Sequence, residues 1–282
     1  MNMENVKKLL QEENISGEVV TIPKNGIDYH GIRLSIPDSP FVSPVVYYSC
    51  NDSREDLIER IHSVLQMEVP SINPNRLNDW EYLKKHLYVG VQRQTCDFSI
   101  VKHKFLNLEC YLYIVMDIGN EEKIGSIKLK KDFVSRLNIP EAIFWRTAFR
   151  NTASSYSFMT MADILQQSTG LSDIMYIVTS EYGKAASALT FPILFHRFCE
   201  EKEENSCYIL PSSTEDLIIL PGSFLAASQI DPVDLANLVY EINQDVVDPM
   251  IQLDPIVYYY DVVSKQVKII SRCRERIDAH GE

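Results

Sequence analysis

Residues 208–221 read YILPSSTEDLIILP, and this stretch decides the fold that the sequence predicts. Two short apolar segments, 207–210 and 217–220, have the length of strands and are separated by a polar link. Within that link, Ser212 and Glu215 have the spacing of a capping box, which predicts one helical turn between the strands. We therefore expect a strand-turn-strand corner, with polar groups gathered at one end of a sheet.

The sequence on either side of this corner predicts further strands and helices. Asp231 and Pro232 are suited to cap and begin a helix, and apolar residues recur at helical spacing as far as Val246. Residues 151–282 therefore read as strand-helix-strand-strand-helix-strand-strand, an α+β half with a mostly antiparallel sheet and helices packed on one face. The strands are predicted at residues 174–178, 207–210, 217–220, 256–260 and 267–270, and the helices at 192–201 and 232–246.

Residues 1–150 predict a second sheet-centred half of the same α+β fold. The Asn25-Gly26 pair suits a tight turn between two strands, and Ser53 suits the N-cap of a helix. The polar residues 151–157 follow this half, so we expect two domains, at 1–150 and 151–282. In the first half, strands are predicted at residues 19–22, 32–36, 44–49, 88–93, 110–116 and 124–129, and helices from residues 53, 131 and 140.

Composition limits the classes of protein to which the chain can belong. Its 282 residues, 45% of them hydrophobic, can bury one large core or two small ones, which excludes a disordered or collagen-like protein. The 27 Lys and Arg residues against 39 Asp and Glu give a net charge of −12. This balance argues against a nucleic-acid-binding protein with a broad basic face.

One local stretch of the chain is basic and could still contact a phosphate backbone. It consists of Lys265, Lys268, Arg272, Arg274 and Arg276. Lys265 and Lys268 also suit an edge strand, where lysine deters pairing with other chains.

No pattern in the sequence is typical of a secreted or membrane protein. Residues 1–14 lack the continuous apolar stretch of a signal peptide, and the longest apolar runs have only the length of a strand. The six cysteines include no C-x-x-C pair, which favours reduced thiols. We therefore expect a cytoplasmic protein without a membrane partner.

The chain contains no recognised catalytic motif. The patterns G-x-S-x-G, H-E-x-x-H, G-x-x-x-x-G-K-[ST] and G-x-G-x-x-G are all missing from it. His196, Cys199 and Cys207 could supply three zinc ligands, but a fourth is missing, and nearby phenylalanines indicate that their helix faces a core. We therefore assign no catalytic residue, no metal and no cofactor.

Three consecutive tyrosines occupy the predicted strand at residues 256–260. Because side chains alternate along a strand, Tyr259 lies on the opposite face from Tyr258 and Tyr260. One of the two faces must be core. The other face is either a binding surface, since tyrosine offers contact area and a hydroxyl, or a surface that packs against helices.

Six segments of the chain occur in a fixed order over residues 17–271: SPVVYY at 43–48, AFRNT at 148–152, MYIVT at 175–179, the corner at 208–221, YEIN with VV at 240–247, and VYYYD at 257–261. Together they resemble a bacterial family known only as a domain of unknown function, found in gut Firmicutes chromosomes and mobile elements. The resemblance implies a fold and a bacterial cytoplasmic setting, without an activity. The chain departs from the family at Ser180 and Gly183-Lys-Ala, where the family tends to have Asn and a Gly-Ala pair. A site formed by that loop would therefore differ in this chain.

The residues to which the resemblance points are polar and include no nucleophile-base pair. Asn151 and Asn243 lie near predicted helix ends, where asparagine caps the helix or brackets another segment by hydrogen bonds. Such side chains suit a structural or binding role better than catalysis. We therefore expect a binding site among Asn151, Ser212, Ser213, Glu215, Asn243, Tyr259 and Asp261.

These observations predict a non-enzymatic cytoplasmic factor that binds an as yet unidentified protein, in association with a mobile element or its host. Two alternatives stay open. The net charge of −12 would suit an acidic inhibitor that blocks the nucleic-acid-binding surface of a bacterial defence or replication enzyme. The corner at 208–221 would suit an undescribed enzyme with its site beside Ser212, Ser213 and Glu215.

Overall fold

The structure is a computed structural model that describes residues 1–36, 43–67, 74–117, 124–211 and 213–273. The described chain forms two compact units. The first unit comprises Met1–Leu83 with the short pieces Thr95–Asp97 and Met116–Gly125, and the second comprises Lys84–Gln94, Phe98–Val115 and the residues from Ser126 onward. The predicted boundary at 150/151 lies inside the second unit, and a division into folding domains at that point stays a prediction.

The first unit is built on a three-stranded antiparallel sheet in the order β1-β2-β3. Asn25 and Gly26 both have positive φ, at 49° and 79°, so the predicted hairpin turn is confirmed. Ser53 accepts a hydrogen bond from the N–H of Asp56 and caps a helix as predicted. The elements are α1 (Met3–Glu12), β1 (Gly17–Lys24), β2 (Ile27–Leu34), β3 (Val45–Tyr47) and α2 (Arg54–Gln66), followed by a 3₁₀ turn at Pro74–Asn78.

Most of a four-stranded sheet belongs to the second unit; in this sheet β4, β6 and β5 lie side by side and β7 pairs with β6. The helix that precedes it, α3 (Trp80–His86), begins in the first unit and ends in the second. A longer helix, α5, packs on β4, and the hydroxyl of Thr152 accepts the N–H of Val89 at 2.9 Å. The elements are β4 (Leu87–Arg93), β5 (Lys102–Phe105), β6 (Leu108–Asp117), β7 (Ile124–Lys128), α4 (Lys131–Arg136) and α5 (Glu141–Ala153).

The second unit also contains a six-stranded antiparallel sheet in the order β13-β12-β10-β11-β9-β8. Its strands are β8 (Tyr156–Thr160), β9 (Tyr176–Ser180), β10 (Ser206–Leu210), β11 (Leu217–Pro221), β12 (Ile256–Asp261) and β13 (Gln266–Arg272). Its helices are α6 (Met161–Leu165), α7 (Leu171–Ile174), α8 (Pro192–Glu201), α9 (Gly222–Ser228) and α10 (Pro232–Asp245), with a 3₁₀ turn at Ala185–Thr190. The predicted α+β class with antiparallel sheets is confirmed.

Helices cover both faces of the six-stranded sheet, where the sequence predicted one covered face. Cys207 and Tyr260 are cross-strand neighbours on one face, and the ring of Phe195 from α8 lies 6.0 Å from the ring of Tyr260. Tyr208 and Leu210 point to the opposite face and pack against α9 and α10. Because β10 is apolar on both sides, it needs a helical layer on each.

A partly buried ion pair joins the two sheets of the second unit. Nε of Arg93, from β4, lies 3.2 Å from Oδ1 of Asp254, which precedes β12. A second nitrogen of the same guanidinium donates to the carbonyl of Leu253 at 3.2 Å. The hydroxyl of Tyr258 donates to Oδ1 of Asn107 close by. These contacts hold the end of β4 and the start of β6 against the start of β12.

Gly90 of β4 has no side chain, so the ring of its cross-strand neighbour Tyr111 can lie directly over it. A Cβ at Gly90 would lie 2.6 Å from Cζ of Tyr111 and 2.8 Å from its hydroxyl oxygen. That ring is buried and has the ammonium of Lys128 over it, 4.7 Å from its centroid, so moving it would displace packed atoms. We predict that Gly90→Ala lowers the free energy of unfolding by about 1 to 3 kcal/mol, as measured by urea denaturation.

The control for this prediction is the same substitution in a Tyr111→Leu background. There the shorter side chain leaves space for the added methyl group, so Gly90→Ala should cost less than in the parent chain. An equal loss of stability in both backgrounds would show that the contact with the ring is not the cause.

Candidate functional site

The predicted site residue Asn151 ties a helix to a strand. Its Nδ2 donates to the carbonyls of Lys84 and Leu87, each at 2.9 Å. These two carbonyls lie in α3 and at the start of β4, more than 60 residues away along the chain. Asn151 is therefore a hydrogen-bond bracket, one of the two roles expected for it.

The predicted corner between β10 and β11 is a bend held by one hydroxyl. Oγ of Ser213 accepts the N–H groups of Glu215 and Asp216, at 3.0 and 3.1 Å. Residues 213–216 do not form the predicted helical turn, because Ser213 instead makes an isolated β-bridge with Gln252. Ser212 lies outside the described residues. Since Ser213 is buried and holds the bend, its hydroxyl serves the backbone rather than a ligand.

Asn243 reaches the same corner through the segment that precedes β12. Its Nδ2 donates to the carbonyl of Leu253 at 3.1 Å, and Nε2 of Gln252 donates to the carbonyl of Asn243. The bridge between Gln252 and Ser213 completes this network. The structure therefore brings Asn243 and Ser213 together, in a buried arrangement that holds the end of α10 near β11.

Tyr259 and Asp261 lie on β12 and do not join that network. Tyr259 is half-buried, with its ring 5.1 Å from the ring of Tyr208 and the ammonium of Lys268 above it at 5.2 Å. Tyr258 and Tyr260 are fully buried, which confirms that their face is core. Oδ1 of Asp261 accepts the N–H of Ser264 at 2.8 Å, and such hydrogen bonds lower the pKa of this carboxyl. Tyr259 thus packs against its neighbours, and Asp261 holds the turn between β12 and β13.

His196, Cys199 and Cys207 lie near one another, between α8 and the sheet. The hydroxyl of Tyr260 lies 3.0 Å from Nδ1 of His196. Cys199 and Cys207 are buried, and a hydrogen bond with Cys207 lowers the pKa of Cys199. Within the described residues, no group of three or more His, Cys, Asp and Glu side chains could hold a metal ion. These side chains pack the interface of α8 with the sheet.

A groove of about 530 Å³ opens at the edge of the six-stranded sheet, and none of the site residues predicted from sequence lines it. Strand β8 forms one wall, and α8 forms the other. The apolar lining is continuous: the ring of Phe198 stacks on Phe158 at 6.1 Å and meets Tyr176 edge-on at 5.0 Å. Leu194 extends this surface by one turn of α8. The groove therefore lies beside a strand edge and has an aromatic wall.

The pairing of β8 with β9 fixes the direction of every backbone group in β8. Just before the strand, the N–H of Glu181 donates to the carbonyl of Ser155 at 3.1 Å. Just after it, the N–H of Met161 donates to the carbonyl of Met175 at 2.8 Å. Hydrogen-bonded positions alternate in an antiparallel pair, so odd-numbered residues of β8 face β9.

The even-numbered residues of β8 consequently direct their backbone groups away from the sheet. Ser157 and Met159 bond to β9, whereas the N–H and C=O of Tyr156 and Phe158 point outward. In the described part of the chain, β8 pairs with β9 alone, and these outward groups have no hydrogen-bond partner. At Thr160 the outward N–H is already bonded to the carboxylate of Asp163. Two adjacent pairs of donors and acceptors are therefore open beside the groove.

Sequence reasoning placed a polar seam at residues 151–157 and so missed β8. The signal that could have found it is the alternation of aromatic and polar residues in Tyr156-Ser-Phe-Met-Thr160. Thr160 and Asp163 also form a capping box, which marks the end of the strand and the start of α6. The strand is only five residues long, and the serines before it suggest a loop.

The fold and this groove define a mixed α+β protein with an open sheet edge. The model of DUF5688, a family of unknown function, matches residues 2–262, and the chain belongs to that family. The resemblance to a domain of unknown function is confirmed at that level. No curated protein and no solved structure matches the chain. None of the helices in the described part has the length and apolar character needed to cross a membrane.

If Asn151 is a structural bracket, removing its amide must weaken the fold. We predict that Asn151→Leu lowers the free energy of unfolding by about 2 kcal/mol, because two carbonyls lose their donor. Urea denaturation measures this loss. As a control in the same turn, Ser154→Ala removes one exposed hydroxyl bond and should cost less than about 0.5 kcal/mol. Equal stability of Asn151→Leu and the parent chain would contradict the structural role.

Because the backbone groups of β8 point alternately toward β9 and outward, we predict an alternating pattern of amide hydrogen exchange along this strand. In the free protein, the amides of Tyr156 and Phe158 should exchange at least about tenfold faster than those of Ser157 and Met159, since only the latter are bonded to β9. Residue-resolved exchange followed by NMR measures these rates. Slow exchange at all four positions would mean that the outer edge of β8 is already covered.

Proposed function

We propose that this protein is a non-enzymatic binding factor that holds an extended segment of a partner protein as an added strand along β8. The observation that carries the proposal is the pair of open backbone positions, Tyr156 and Phe158, beside a groove with an aromatic wall. In strand addition, the backbone hydrogen bonds supply affinity, and the neighbouring groove selects side chains. An edge strand next to a helix provides both.

The two edges of the six-stranded sheet differ in how they are protected. The edge strand β13 carries Lys268 and Arg272, and Lys265 precedes it, as expected for an edge that resists pairing. The opposite edge strand, β8, has the sequence YSFMT, which contains neither a charge nor a proline. Because unprotected edges invite pairing with other chains, the retention of one beside a groove supports a binding role.

The size and exposure of the surface fit a short extended segment. A groove of about 530 Å³ lies within the range of specific binding pockets and can take several side chains. Five residues of β8 extend over about 17 Å, which matches a partner strand of similar length. Ala153, Ser157 and Arg197, which line the groove, are exposed, so a partner can reach it from solvent.

The cellular setting is proposed from the sequence. The resemblance to a bacterial family of mobile elements and chromosomes supports a cytoplasmic accessory factor of a mobile element or its host. A partner in that compartment would present an unstructured segment, because only an extended chain can pair with β8. The basic stretch around Lys268 lies on the opposite edge of the sheet, so a phosphate contact there would be separate from this groove.

The proposal is tested with peptides and the full chain. Random eight-residue segments, displayed inside a flexible linker, are selected for binding, and exchange at β8 is then measured with the selected peptide. We predict that the peptide slows exchange of the Tyr156 and Phe158 amides by at least about tenfold, because each gains an acceptor. Recovery of no reproducible peptide, or of peptides that leave both amides fast, would refute the proposal.

A matched pair of variants separates the groove from the rest of the surface. Ala153 and Ala227 are both exposed alanines in helices of the second unit, but only Ala153 lines the groove. Ala153→Trp should weaken peptide binding by at least about tenfold, because the indole fills part of the groove. Ala227→Trp should leave the affinity unchanged. Equal effects of the two substitutions would place the peptide elsewhere.

A further inference from the structure

We infer that the segment bound along β8 carries an acidic side chain, Asp or Glu, which pairs with Arg197. This inference rests on the proposed function and specifies the chemistry of the partner at the same site. Arg197 lies on α8, is exposed, and lines the groove opposite β8. A guanidinium in this position can bind a carboxylate with two parallel hydrogen bonds.

The other charged side chains of the groove are already engaged. The ammonium of Lys202 lies 2.9 Å from a carboxylate oxygen of Glu201 and also lies over the ring of Tyr176. The carboxylate of Asp163 accepts both the N–H and the hydroxyl of Thr160. Among the described residues, Arg197 has no ion-pair partner. Arg197 is therefore the charged side chain of the groove whose hydrogen-bonding groups are left for a partner to match.

The place of Arg197 along the helix favours an internal side chain over the end of a chain. Leu194 and Glu201 both line the groove, one turn before and one turn after Arg197, so the guanidinium lies midway along the α8 wall. A C-terminal carboxylate is usually held at the end of a groove by backbone N–H groups. Here the cation is the side chain of Arg197, midway along the groove. Glu201, one turn further along α8, would repel a C-terminal carboxylate placed at that end of the groove.

The geometry of an added strand also places an apolar residue near the acidic one. Side chains at positions i and i+2 of an extended segment point to the same side. On that side, the segment meets both Arg197 and the aromatic wall formed by Phe158 and Phe198. We therefore expect an acidic residue with a large apolar residue two positions away, in either direction along the partner segment.

The test uses selected eight-residue peptides with acetylated and amidated ends, so that only side chains carry charge. Exchange of the acidic residue for its amide, Glu→Gln or Asp→Asn, should weaken binding to the parent protein about tenfold. Arg197→Glu should abolish this preference and favour the same peptide with lysine at that position. Arg272→Glu, an equal change of charge on the opposite edge strand, should leave the preference for the acidic peptide intact.

The outcomes separate this inference from the proposed function. Peptides that protect the Tyr156 and Phe158 amides but bind equally well with Glu and Gln would overturn the acidic preference and leave strand addition standing. Selected peptides that need a free C-terminal carboxylate would overturn the choice of an internal side chain. If no peptide protects β8, the proposed function fails, and this inference fails with it.

Discussion

The antiparallel ladder between β8 and β9 is the constraint on which the candidate site depends. It directs the backbone of Ser157 and Met159 inward, so the backbone of Tyr156 and Phe158 must point outward. On its other side β9 pairs with β11 and cannot move away. The capping box of Thr160 and Asp163 then turns the chain into α6. An open edge of fixed length is the result.

Helix α8 lies beside this edge and forms the second wall of the candidate binding groove. Its apolar face packs on the sheet through Phe195 and Phe198. Between α8 and the outer edge of β8, a groove stays open. The same helix contributes Arg197, the cation that completes the proposed recognition. The partly buried Arg93–Asp254 pair lies toward the opposite end of the sheet, where it joins β4 to the start of β12. One end of the sheet is thus tied into the unit, and the other is available to a partner.

Local patterns predicted the elements of this fold, and contacts distant in sequence decided the site. The hairpin at Asn25-Gly26 and the capped helix α10 follow from neighbouring residues, and both form as expected. Asn151 bonds to Lys84, 67 residues away, so its sequence context could not reveal its partner. Ser213 and Asn243, 30 residues apart, likewise meet through Gln252. Strand β8 was missed because five residues after a run of serines give a weak periodic signal.

Strand addition along β8 is tested by a crystal structure of the full chain with a selected peptide. Strand addition predicts an extended peptide along the outer edge of β8, with side chains in the groove beside α8 and backbone groups within about 3 Å of the N–H and C=O of Tyr156 and Phe158. A peptide bound at any other surface, or in the groove without backbone bonds to β8, would contradict strand addition as the way in which this protein binds its partner.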